Sequence, residues 1–98
     1  MTKAVEAGAS VTITERLQTG HEGLQVRYLG APDTFVVEEL TIGLTSCLAG
    51  PGSIPAEMLS VDWPQVIPRG TEVACRVRNM GRTSATFVAV IRPPPRER

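Results

Sequence analysis

Residues 72–91 read EVACRVRNMGRTSATFVAVI, and the alternation within them decides the fold class. Val73, Cys75 and Val77 share one parity while Glu72, Ala74, Arg76 and Arg78 share the other, which is the pattern of a strand with one apolar and one polar face. Asn79-Met80-Gly81-Arg82-Thr83 supplies turn chemistry, and Ala85, Phe87, Ala89 and Ile91 then resume the alternation. The two runs are predicted to pair as a hairpin. Val88 and Val90 make the other face of the return strand apolar too, which predicts a strand central in its sheet or covered on both sides.

Period-2 patterning continues upstream, and no window shows the i, i+3, i+4, i+7 stripe of an amphipathic helix. The longest run spans Thr34 to Ser46, where Phe35 and Val37 hold one parity and Leu40, Ile42 and Leu44 the other, with Glu38 and Glu39 at the change of phase. A β-bulge at that pair turns both apolar sets to the core and keeps both carboxylates near water. One flat strand would instead bury Glu38, at a desolvation cost that favours the bulge. Val11 and Ile13 alternate with Thr12 and Thr14, and Leu24, Val26 and Tyr28 with Gln25 and Arg27, predicting half-buried strands on either side of the turn at residues 18–23. Gly30-Ala31-Pro32-Asp33 is the next turn.

Two glycines and two prolines make Cys47 to Pro55 a loop. Ala56 to Ser60 is predicted as one helical turn, capped by Ser53 with Pro55 at its first position. Val61 and Trp63 suit a short strand ended by Pro64, and Ile67-Pro68-Arg69-Gly70 suits a type I turn. Six to seven short strands spaced by turns predict an all-β antiparallel β-sandwich or jelly-roll-like barrel, with an OB-type barrel as the alternative. Residues 1–92 form the single domain, with 1–9 as a candidate flexible arm and the Pro/Arg-rich 93–98 as an extended, mobile tail.

Composition agrees with one packed domain, since 98 residues at 42% hydrophobic and 20% charged match neither a disordered chain nor a coiled coil. The N-terminal residues lack the apolar run of a secretory signal, and no stretch approaches the ~20 apolar residues of a membrane span, so no membrane partner is expected. Cys47 and Cys75 fit no zinc spacing and are too few for a disulfide framework, and are expected as free thiols. Net charge is zero, yet residues 1–68 carry −5 and residues 69–98 carry +5. Such a division neutralises itself across a sheet, or complements a second copy.

Candidate chemistry is sparse. His21, the only histidine, lies in a turn with no nucleophile and acid spaced to serve it, and reads as solvated. Glu38 and Glu39 are adjacent, so on a regular strand they point to opposite faces and cannot act on one bond. Gly50-Pro51-Gly52-Ser53 lacks the Gly-Lys-Ser/Thr ending of a phosphate loop. No catalytic residue, cofactor or metal site is expected, and an enzyme would need a site built between subunits. The arginines carry more: Arg76 and Arg78 share one strand face, Arg69 and Arg82 sit in the turns at its ends, and Arg92 and Arg96 follow. Together they are candidates for anion binding or an interface. With Trp63, Tyr28, Phe35 and Phe87 the whole aromatic stock, stacking platforms for nucleic acid or sugar are scarce.

From Phe35-Val36-Val37-Glu38-Glu39-Leu40-Thr41-Ile42-Gly43, through Gly52-Ser53-Ile54-Pro55, to Val77-Arg78-Asn79 and Ala85-Thr86-Phe87-Val88-Ala89, the chain resembles small β-sandwich, jelly-roll-like structural and accessory proteins of phage and virus-like particles. The resemblance implies a repeated subunit and no catalytic residue. The leading expectation is a non-enzymatic structural protein that self-assembles as a homo-oligomer, as a virion component or capsid decoration partnered by a larger particle or capsid protein, and otherwise cytoplasmic. The alternative is a small module whose arginine hairpin binds nucleic acid or an acidic protein.

Overall fold

The computed structural model describes residues 1–20, 22–48 and 52–93, and among them nine strands form: β1 (Thr2–Val5), β2 (Ser10–Arg16), β3 (Leu24–Tyr28), β4 (Phe35–Ile42), β5 (Thr45–Ser46), β6 (Ile54–Pro55), β7 (Ser60–Trp63), β8 (Glu72–Asn79) and β9 (Ala85–Arg92). One 3-10 turn, Ala56–Met58, precedes β7. Two antiparallel sheets pack face to face. One has the order β1-β9-β3-β7, and the other the order β2-β8-β4-β5 with β6 also pairing β4. The expected sandwich is therefore present, with two stubs beyond the six to seven strands read from the sequence.

Four of the ladders follow a simple rule, while the β3–β9 and β4–β8 ladders join strands that lie side by side once the chain is rolled up. Thr2 lies opposite Val88, Ser10 opposite Arg78, Leu24 opposite Trp63 and Ile42 opposite Thr45, so the two residue numbers of each pair total between 87 and 90. The chain is in effect one long antiparallel ribbon folded at Gly43-Leu44. Successive pairs fall alternately in the two sheets, because a twisted ribbon hides its apolar face only by rolling up on itself. This nested order is the jelly roll, and it selects between the two all-β expectations and displaces the OB-type barrel.

That topology corrects several local expectations. β8 and β9 are strands but not a hairpin: they belong to opposite sheets, and residues 80–84 cross between them. Both bury a face in the same core, with Val73, Cys75, Val77 and Phe87 at 0% exposure, and each finds its ladder partners in the other arm of the ribbon. β2 and β3 are split between the sheets in the same way. Thr2–Val5 is no arm, since it pairs with β9 and buries Val5. Leu44, expected inside, stands fully exposed at the ribbon tip, where Gly43 takes a φ of 63° and reverses the chain. Ser53 does not cap the helical turn; Pro55 occupies the cap position and lies in β6. The expected type I turn is replaced by a type II turn one residue on: the Thr71 N–H donates to the Pro68 carbonyl, and Gly70 in third place takes the positive φ, 88°, that this turn requires.

Other expectations hold. The ladder between β4 and β8 shifts register between Val37 and Glu39, and Phe35, Val37, Leu40 and Ile42 all face the core across that bulge. β9 is central, between β1 and β3. Cys47 and Cys75 are free thiols, half-buried and buried. Phe35 and Phe87 meet edge-on at 5.4 Å between centroids, and Tyr28 lies 5.4 Å from Phe87 and 6.4 Å from Phe35, so the three rings form one cluster. His21, Gly50, Pro51 and the tail beyond Pro93, Arg96 included, lie outside the described residues.

Asn79 closes the construction. It is the one buried polar residue of the described core, at 0% exposure, and its amide donates to the Val5 carbonyl at 3.0 Å and the Thr83 carbonyl at 2.9 Å while accepting from the Gly81 N–H at 2.8 Å. These bonds tie the end of β8 to β1 and to the loop that crosses between the sheets.

Candidate interaction face and its exposed edge

The outer face of the β2-β8-β4 sheet carries the arginines of β8. Pairing aligns the side chains in rows: Ser10, Arg78 and Val36; Thr12, Arg76 and Glu39; Thr14, Ala74 and Thr41. Ala74 is the small residue among longer neighbours, and a hollow of about 150 Å³ opens there, lined by Thr12, Glu39, Thr41, Ala74 and Arg76.

Glu38, the extra residue of the bulge, organises this face. Its carboxylate accepts a short hydrogen bond from the Ser10 hydroxyl and lies 3.4 Å from Arg78 Nε and 3.7 Å from Arg76 Nε. Arg76 also reaches Glu39, at 3.7 Å. The Ser10 hydrogen bond first, and then the charges of Arg78 and Arg76, hold the Glu38 carboxyl below the ordinary carboxylate range. With both arginines about half exposed, each ion pair contributes at most ~1 kcal/mol, and what the network supplies is position.

The expected arginine clamp is thus only partly assembled. Arg76 and Arg78 come together, but around Glu38 and Glu39. Arg69 sits in the turn after Pro68, at the end of the sandwich opposite Arg82, and both are exposed. Arg92 belongs to the other sheet, where its Nε donates to Gln25 at 3.3 Å. Neither thiol is a poised nucleophile: desolvation pushes Cys47 up and Cys75 up to about 12. Among the described residues no cluster of His, Cys, Asp and Glu is arranged to hold a metal ion, and no helix is long and apolar enough to cross a membrane.

A feature not anticipated from the sequence is the free side of β2. At its two ends the Asn79 N–H donates to Ala9 and the Leu17 N–H donates to Thr71, so the odd-numbered residues bond toward β8. Ser10, Thr12, Thr14 and Arg16 therefore point four N–H and four C=O groups away from the sheet, of which the Arg16 carbonyl accepts from Gln18 Nε2 at 3.4 Å. The other edges are blunted in the ways that discourage strand addition. β1 has four residues and Lys3; β7 has four, with Asp62 in it and Pro64 behind it; β5 and β6 have two each, and β6 includes Pro55. β2 runs for seven residues with no proline or lysine, and is uncharged from Ser10 to Thr14. The sequence shows the threonine alternation but not that this strand lies at an edge.

No known protein family matches the chain, and no curated protein matches it.

Proposed function

We propose that this chain is a non-enzymatic structural subunit that associates with copies of itself, as a repeated or decorating component of a larger particle such as a viral or phage shell. The observation that carries the reading is the β2 edge, a seven-residue strand whose alternate residues Ser10, Thr12, Thr14 and Arg16 turn backbone groups outward with no ladder partner, while the other edges among the described residues are blunted. The jelly roll is compatible with this role, since capsid domains use it, but lectins and cupins use it too, and a fold alone does not assign a function. What favours assembly over ligand capture is that the long open edge matches another strand. The alternative of a polyanion-binding arginine face gains no support from Arg76 and Arg78, whose charge is met by Glu38 and Glu39.

Thr12→Pro tests the proposal. The Thr12 N–H faces outward, so proline there removes no bond to β8, while its missing donor and its ring obstruct an incoming strand. Sedimentation and native mass spectrometry are expected to show an oligomer for the unaltered chain and a monomer for the variant, with unchanged far-UV circular dichroism. A strictly monomeric unaltered chain at high concentration would overturn the reading.

A further inference from the structure

We infer that two copies pair through antiparallel β2 strands about a two-fold axis at Ile13, joining their Arg-bearing sheets into one continuous sheet. The inference rests on the self-association proposed above and specifies its geometry. Three features determine it.

The first is hydrogen-bond phase. Only Ser10, Thr12, Thr14 and Arg16 present outward backbone groups, so an added antiparallel strand must set even residues against even residues. A slip by one residue would match outward groups with inward ones and turn the added strand's side chains to the wrong face. The second is completeness. A two-fold axis at Ile13 sets Ser10 against Arg16, Thr12 against Thr14 and Ile13 against Ile13, which pairs all four outward-facing residues of each copy. Moving the axis one position to Thr12 or to Thr14 leaves one of the four unpaired at each end. An isologous contact of this kind also closes, giving a discrete dimer and not a fibre.

The third is chemistry along the seam. No like charges face each other in this register, since Arg16 of one copy lies across from Ser10 of the other, whose hydroxyl is bound to Glu38. The Arg16 guanidinium, largely exposed and only 3.9 Å-paired to Glu72, gains a second carboxylate within reach. Ile13, at 7% exposure, meets its own counterpart and extends the apolar core across the axis.

Cysteine cross-linking reads the register directly. Thr12→Cys and Thr14→Cys are made separately in chains that also carry Cys47→Ser; both positions are exposed, so folding is not at stake, and buried Cys75 stays out of reach. In the inferred register residue 12 of one copy faces residue 14 of the other at ~5.5 Å between Cα atoms, within disulfide range, while identical positions are offset beyond the ~7 Å limit. On oxidation the two variants refolded together are expected to form a covalent dimer that neither forms alone. A covalent dimer from Thr12→Cys or from Thr14→Cys alone would overturn the register and leave self-association standing. Oligomers in sedimentation without a covalent dimer in any sample would show that β2 is not the interface, again leaving self-association standing. Monomers throughout would remove both.

Discussion

Asn79→Ala tests whether one buried amide holds the crossing of the ribbon. The side chain makes three hydrogen bonds, two donated to Val5 and Thr83 and one accepted from Gly81, all to backbone groups at strand ends or in the connecting loop. Alanine leaves those three groups without this partner, the Val5 carbonyl in the buried interior and the Thr83 carbonyl and Gly81 N–H in part-buried positions. At a net contribution of ~1 kcal/mol per bond, the loss is about 3 kcal/mol. At about 0.05–0.15 kcal/mol per residue a domain of this length is stable by roughly 5–15 kcal/mol, so that figure is a large share of the total. At ~4–8 °C per kcal/mol, the midpoint of thermal unfolding should fall by roughly 10–25 °C. Urea unfolding followed by circular dichroism measures the free energy, with an unchanged m-value required for the comparison. Asn79→Asp is the control: it keeps the shape and the acceptor but, ionised, has no donor for Val5 or Thr83, so it should be at least as damaging at neutral pH. A loss below ~1 kcal/mol for alanine would refute the assignment of these bonds as the anchor of the crossing.

Two further outcomes are expected. Because the Glu38 carboxyl titrates below its ordinary value of 4.5, its contribution is present above that value and is lost as the pH falls through the lower one; Glu38→Gln should flatten part of the acid limb of stability against pH, and an unchanged limb would count against the network. Burial raises the Cys75 thiol from 9.0 to about 12, so it adds stability below pH 9 that is lost as the pH climbs toward 12, and iodoacetamide at pH 8 should modify half-buried Cys47 first and Cys75 only in urea; equal labelling of both in the folded protein would refute its burial.

The six strands β2 to β4 and β7 to β9, the bulge at Glu38 and Glu39 and the central place of β9 were legible in the sequence, because each is set by which residues face which side, whereas β1 reads there as an arm and β5 and β6 do not show. Side-chain alternation has a period of two residues and reports burial locally. The Arg76 and Arg78 pair was legible for the same reason, while the neutralising role of Glu38 needed the neighbouring strand.

Tertiary structure alone decided the partners. A strand with a good apolar face pairs equally well with the next strand or with one sixty residues away, and the alternation in residues 72–91 was compatible with a hairpin. The nested ribbon prevails because it lets both faces of the sandwich close over a single core, with β8 and β9 contributing to it from opposite sides. The same choice makes Asn79 an anchor when the sequence shows only a turn residue. It also leaves β2 at an edge with its outward backbone groups open, a property that belongs to the pairing and not to the residues Ser10 to Arg16 themselves.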